Sequence, residues 1–226
     1  MPRILTPERA ARAIYFDFEG CVAEAPSLLG WSFLRDDGTE HFGQGIVARA
    51  LWGATRTVPQ IGGKVRCTQS TLHTEVNCLV TMAEEGDRFI VSWGHHDMDM
   101  IERYIDDPAL LERVRFRYEN ALPTARQWLK KVHPQIHLTR TWSGKHRLCR
   151  YLEIMGVTVP KKYDQDVAAK GIKATRDAMA RYGSYARIPV DSGAREAWMG
   201  VLGHNRLDCK NAREAVTRAA WEYAAS

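Results

Sequence analysis

Asp17 and Glu19 stand two residues apart at the end of Ala13-Ile-Tyr-Phe-Asp-Phe18, an apolar and aromatic run that reads as a buried central strand. Residues two apart in a strand point to the same face, so the two carboxylates lie side by side. Such a pair repels itself and is costly to bury. A divalent cation between the two offsets that cost, and magnesium prefers carboxylate oxygens while keeping waters for a substrate and a nucleophile. Two further acids fit the same chemistry. Asp97 follows a second apolar run, Arg88-Phe-Ile-Val-Ser-Trp93, where the chain turns into a helix. The carboxyl ends of strands are where α/β proteins build sites. Asp99 competes with it; Asp97 is preferred because Ile101 then falls one helical turn later, on the core side. Asp208 lies in Gly203-His-Asn-Arg-Leu-Asp-Cys209, inside the last helix, with His204 four residues before it. A histidine there could orient or deprotonate a water, since its pKa lies near neutrality. The plainer alternatives are a helix cap for Asp97 and for His204, and a solvated surface position for Asp208.

The elements that must carry these residues follow from periodicity and breakers. Strands are expected at Ala13–Phe18, Leu29–Leu34, His41–Ile46, Arg88–Trp93 and 114–119, with Asp36-Asp37-Gly38 as a turn that makes the second and third antiparallel. Residues 52–68, with Pro59 and Gly62-Gly63, read as irregular. Helices are expected at 71–85, 97–105, 109–113, 123–132, Ser143–Met155 and about 163–182. The last helix starts near 192, breaks near Gly200–Gly203 and resumes from His204 to Tyr223. Strands first, then strands alternating with helices, predict an α/β fold: one domain over 1–226, a mixed sheet with an antiparallel edge, and helices on its faces.

Composition narrows the function class. Net charge is +5, yet residues 111–226 hold 22 of the 32 Lys and Arg and only 11 of the 27 Asp and Glu. An acidic site in one half and a basic surface in the other suit a nucleic-acid partner. The alternative is a basic solvated face. Five cysteines are widely spaced with no Cys-x-x-Cys pair, which argues against a disulfide framework or a zinc ribbon. His95-His96 and His133-x-x-x-His137 are the remaining candidates for zinc, and with no cysteine cluster near them no structural zinc is expected. No run approaches the ~18–20 apolar residues of a membrane span. The N-terminal stretch is not read as a secretory signal, and a cytoplasmic location is expected.

Three segments carry a resemblance. Tyr15-Phe-Asp-Phe-Glu-Gly20 is similar to the Asp-x-Glu first motif of the DEDD exonuclease superfamily. Ile90-Val-Ser-Trp-Gly-His-His-Asp97 resembles its second motif, and His204-Asn205-x-x-Asp208-Cys209 resembles the third, in which Tyr-Asn-x-x-Asp is frequent. Ser143–Gly156 resembles the helix between them. The nearest flavour is the bacterial ribonuclease H-like domains related to RecB-type nucleases. There are two departures: Trp93 stands where the second motif usually has Asn, and His204 where the third usually has Tyr.

The resemblance implies a ribonuclease H-like mixed five-stranded sheet with helices on both faces. It implies two Mg²⁺ or Mn²⁺ ions held by Asp17, Glu19, Asp97 and Asp208, and phosphodiester hydrolysis of DNA or RNA as a 3′-5′ exonuclease. His204 would position the water or act as general base. Lys145, Arg147, Lys161, Lys162, Lys170 and Lys173 are candidates for phosphate contacts. Two rivals stand beside this. One is a catalytically degenerate nucleic-acid-binding or assembly module. The other is a haloacid-dehalogenase-type phosphatase, whose nucleophile loop Phe16–Val22 also resembles, although Glu19 is the wrong length for its second acid.

Overall fold

The structure is a computed structural model. It describes residues 4–21, 24–54, 58–60, 63–65, 67–136, 138, 146–158, 160 and 167–226, with the side chains of 58–60 and 63–65 excepted. In chain order the elements are α1 (Pro7–Arg12), β1 (Ile14–Glu19), β2 (Leu28–Leu34), β3 (Glu40–Ile46), β4 (Val58–Gln60), β5 (Gly63–Val65), β6 (Cys67–Gln69), α2 (Leu72–Glu85), β7 (Ile90–Ser92), α3 (His96–Tyr104), α4 (Pro108–Arg117), β8 (Tyr118–Asn120), α5 (Leu122–Val132), α6 (Leu148–Ile154), α7 (Val167–Tyr182) and α8 (Gly193–Ala225).

A mixed sheet of six strands runs β6-β3-β2-β1-β7-β8, and β4 pairs with β5 apart from it. β1, β2 and β3 are antiparallel; β6, β7 and β8 each lie parallel to a neighbour. The expected count of five strands is therefore corrected to six. The added strand is β6, three residues long and too short to show a period-2 pattern. Tertiary contacts hold it: Thr68 and Ser70 each donate a hydroxyl to the buried Glu75 carboxylate of α2 at 2.6 Å.

β1 is central because both its faces are covered. Ile14, Phe16 and Phe18 pack on α2, α3 and α4, through Val76, Leu79, Ile101 and Val114. Tyr15, on the other face, packs with Ala212, Val216 and Ala220 of α8 and Ala10 of α1. Alternation then sends Asp17 and Glu19 to the α8 side as well. The sequence itself thus separates a dry face from a face carrying acids.

Three other expectations are corrected. α8 is one unbroken helix of 33 residues through Gly200 and Gly203. Its buried row Trp198, Val201, Leu202, Asn205, Cys209 and Ala212 outweighs a helix penalty of about 1 kcal/mol for each glycine. α4 extends to Arg117, where a strand was expected from 114. Leu110 and Val114 share its buried face, and the Asp107 carboxylate caps it by accepting from Ala109 and Leu110 N–H. α1, with Thr6 as N-cap and Pro7 in its first turn, is additional to the expected elements. α6 begins at Leu148; residues 143–145 of the expected helix, and 163–166 of the next, lie outside the described residues. Among the described residues no helix is long and apolar enough to cross a membrane.

α7 and α8 cross closely at Gly171. A Cβ there would stand 2.5 Å from a Val201 methyl and 2.8 Å from the Ala197 carbonyl oxygen. Gly171→Ala gains about 1 kcal/mol of helix propensity, but overpacking a tight contact costs about 1–3 kcal/mol. The net expectation is destabilisation, read as a lower urea midpoint with an unchanged m value. A raised midpoint would show that α7 yields at this crossing.

Candidate active site

Four acids converge where β1, α3 and α8 meet. β7 stops at Ser92, pairing only Ile14 and Tyr15 of β1, so the end of β1 lacks a strand partner on that side. Asp97, in the first turn of α3, supplies one: its Oδ1 accepts the Phe18 N–H at 3.2 Å. That contact holds Asp97 buried beside Asp17, whereas Asp99 is exposed. Geometry thus brings Asp97, not Asp99, to the cluster.

From α8, His204 Nε2 lies 3.7 Å from Glu19 Oε1 and 3.5 Å from Asp208 Oδ2. Residues four apart on a helix face the same way, so His204 and Asp208 reach the sheet together. Among the described residues, Glu19, His204 and Asp208 are the one group of three or more metal-ligating side chains close enough to share an ion. Glu19 Oε1 is fully buried and has no hydrogen-bond partner among the described residues. A buried carboxylate oxygen left in this state is costly.

Electrostatics agree with the geometry. Burial pushes the Asp17 carboxyl well above the usual carboxylate range, and Glu19, Asp97 and Asp208 raise it further; a hydrogen bond from Asn205 opposes them. Glu19 is raised well up by burial and then by Asp208. Asp97 is pushed up to about 6, mainly by burial. Asp208 is raised by burial, with His204 working the other way. Cys209 lies buried under the cluster, and burial together with the four carboxylates keeps it a neutral thiol rather than a nucleophile.

The donor set fits a hard divalent cation: oxygen ligands in excess of positive charge, one of them without a hydrogen bond among the described residues, and a histidine beside it. The same set could polarise and deprotonate a water.

A cleft of about 990 Å³ opens from Asp17, Glu19, His204 and Asp208. Its walls are Trp93, Leu148 and Leu152 of α6, and Ala168 and Ala169 of α7, with Arg147 at its edge. Of the expected phosphate contacts, Arg147 lines this cleft. Lys170 and Lys173 are exposed on α7, which reaches the cleft through Ala168 and Ala169. Lys145, Lys161 and Lys162 lie outside the described residues, as does His137. His96 lines the cleft and His95 packs near the Tyr118 ring.

Sequence reasoning gave Asn205 no role beyond its place in the third-motif resemblance, and did not single out Gln44 or Gly30. Asn205 is wholly buried and donates to Asp17, Gln44 donates to Asn205, and Gly30 leaves the space Asn205 needs. A polar residue next to a candidate ligand on a buried helix face was the available signal for the first. The other two depend on strand register, which one sequence does not display. Compared with known proteins, the chain matches no protein-family model, no curated protein and no solved structure.

Proposed function

We propose that the chain is a metal-dependent nuclease of ribonuclease H-like fold, hydrolysing phosphodiester bonds as a 3′-5′ exonuclease. The observation that carries this is the convergence of Asp17, Glu19, Asp97 and Asp208, with Glu19 Oε1 buried and lacking a hydrogen-bond partner among the described residues, beside an open cleft that Asp17, Glu19 and Asp208 line. A mixed sheet with helices on both faces and the first acid pair on its central strand supports the fold reading; β6 is then an addition at the edge. Four clustered acids, Glu19 and Asp97 buried and Asp17 and Asp208 half-buried, are a liability in a pure binding module, because they repel phosphates as well as each other.

Asp17, Glu19, Asp97 and Asp208 would hold Mg²⁺ or Mn²⁺. When bound, such ions lower the pKa of a water and offset the charge that builds on a phosphoryl group. The chain's own residues do the rest. His204 Nε2, between the Asp208 and Glu19 carboxylates, accepts a proton from the attacking water. The water oxygen bonds to phosphorus, the bond from phosphorus to the 3′-oxygen breaks, and that oxygen leaves as a hydroxyl by taking up a proton from solvent water in the open cleft. Arg147 at the cleft edge pairs with a neighbouring phosphate, and Trp93, Leu148 and Leu152 offer apolar surface to the terminal bases.

The test is a cleavage assay on 3′- and 5′-labelled single-stranded and duplex DNA and RNA, with Mg²⁺, Mn²⁺ or EDTA. Expected is metal-dependent shortening from the 3′ end, releasing nucleoside 5′-monophosphates. Salt-sensitive binding with no cleavage under any condition would overturn the catalytic reading and leave a binding module.

A further inference from the structure

We propose that Asn205 is a positioning residue of this centre, setting the orientation of the Asp17 carboxylate through a one-way chain of amide hydrogen bonds that runs across the sheet. The proposal rests on the metal-site reading above. Strand register puts Asp17 of β1, Gly30 of β2 and Gln44 of β3 in one row. The middle member has no side chain, and α8 fills the gap with Asn205. A Cβ at Gly30 would lie 1.9 Å from Asn205 Oδ1, so the glycine is a requirement of the fit.

Every hydrogen bond in this row has a fixed direction. The Leu202 carbonyl can only accept, and it takes a hydrogen from Gln44 Nε2 at 2.9 Å. That fixes the Gln44 amide with its nitrogen toward α8. The same nitrogen donates its second hydrogen to Asn205 Oδ1 at 2.9 Å. Asn205 Oδ1 is thereby held toward β3, which turns Asn205 Nδ2 toward β1. Nδ2 then donates to both the Asp17 carbonyl, 3.0 Å away, and Asp17 Oδ2, 3.1 Å away. A flipped Asn205 amide would set its oxygen against the Asp17 carboxylate and its nitrogen against the Gln44 nitrogen. Both contacts are repulsive, and the two amides are buried with Asp17 half-buried beside them, so the arrangement has one state.

Two consequences follow for the centre. One Asp17 oxygen is committed to an amide donor and the plane of the carboxylate is set. In addition, α8 is pinned in rotation and rise between His204 and Asp208, the two residues it delivers to Glu19. A side chain that only filled the gap would supply neither effect.

The experiment is Mn²⁺ binding by calorimetry and electron paramagnetic resonance, on the wild-type chain, Asn205→Ala and Gln44→Met, with melting in EDTA alongside. Gln44→Met keeps the volume and removes the donor that orients Asn205, without touching Asp17; it serves if Asn205→Ala does not fold. Loss of a supporting hydrogen bond to a ligand typically weakens metal binding ~10–100-fold. Expected is a loss in that range for Asn205→Ala and a smaller, several-fold loss for Gln44→Met. Cleavage by either variant should recover at high Mn²⁺, which a merely structural defect would not allow. Folded variants that bind Mn²⁺ within twofold of wild type would overturn the proposal. Absence of Mn²⁺ binding by the wild-type chain would overturn the metal-site reading beneath it; that failure is read on the parent, the other on the variants.

Discussion

Asp17→Asn is expected to lower metal-dependent cleavage by at least about 10³-fold while leaving the chain folded. Charge stabilisation by bound ions is worth several kcal/mol in such reactions, and ~4 kcal/mol corresponds to roughly 10³ in rate. Asparagine keeps the shape of the side chain, and its carbonyl oxygen can still accept from Asn205 Nδ2, so the contact that now stands at 3.1 Å survives the change. What it loses is the charge. Asp97→Asn should fall in the same way, because Asp97 is buried against the end of β1. Asp99→Asn, two residues along the same helix but exposed, should cleave within about twofold of wild type, surface changes away from such features being near neutral. Initial rates on an end-labelled strand in Mn²⁺ separate the three. If Asp17→Asn cleaved normally, the acids would not be ligands. If it instead bound nucleic acid more tightly with no cleavage in either protein, the chain would be a binding module.

The contrast between Asp97 and Asp99 shows what the sequence can and cannot say. The run around Asp17 announces itself, since apolar and acidic residues alternate in a segment buried on both faces, and the structure has β1 one residue from the expected bounds. The acids on α3 and α8 are harder. Each is one of several polar residues on an amphipathic helix, and only the packing angle decides which reaches the sheet. Asp97 is selected because β7 ends early and leaves a backbone N–H for it to accept, a fact about strand lengths rather than residue types. The same limit explains two of the corrected elements. Gly200 and Gly203 look like a break until the buried row on either side is seen to be continuous. The end of the 52–68 segment looks irregular until Glu75, fourteen-residue α2 and β3 are in place to hold β6 there. Local propensity is a weak prior that tertiary packing overrides. The basic residues fare worst: charge composition predicts a partner, but Lys170 and Lys173 point to solvent on a helix whose small residues line the cleft.

Without metal, the protein is expected to become less stable as pH rises from about 5 to 8, the reverse of ordinary acid denaturation. Burial holds Asp97 up at about 6 in the folded chain, and Asp17, Glu19 and Asp208 are raised too. Unfolded, these groups titrate near 4. Across the window between, the folded state binds more protons than the unfolded one, so stability falls with rising pH. The contribution is full below about 4 and lost as pH climbs through the folded values. Exposed carboxylates held low by partners, such as Glu84 beside Arg113 and Asp87 beside Arg117, act with the opposite sign. They are ionised in both states above pH 5 and leave the slope there to the site. For Asp97 alone, a rise from 3.8 to about 6 corresponds to about 3 kcal/mol. About half of that, roughly 1.4 kcal/mol, is lost between pH 5 and pH 8; a chain of this size shifts Tm by roughly 2–4 °C per kcal/mol, so Asp97 alone contributes a fall of about 3–6 °C over that interval in EDTA. Asp17→Asn removes one of the crowded charges. It should raise Tm at pH 8 in EDTA and flatten the slope, with a smaller effect at pH 5, because lower pH favours the neutral form of a carboxyl that burial and its neighbours hold high. Mg²⁺ should stabilise the wild-type chain at pH 8 and much less at pH 5, because protons and cations compete for the same oxygens. A flat profile that Asp17→Asn and Mg²⁺ both leave unmoved would mean that the four carboxylates do not share one buried site. Cleavage, if it were then observed, would have to be located elsewhere on the chain.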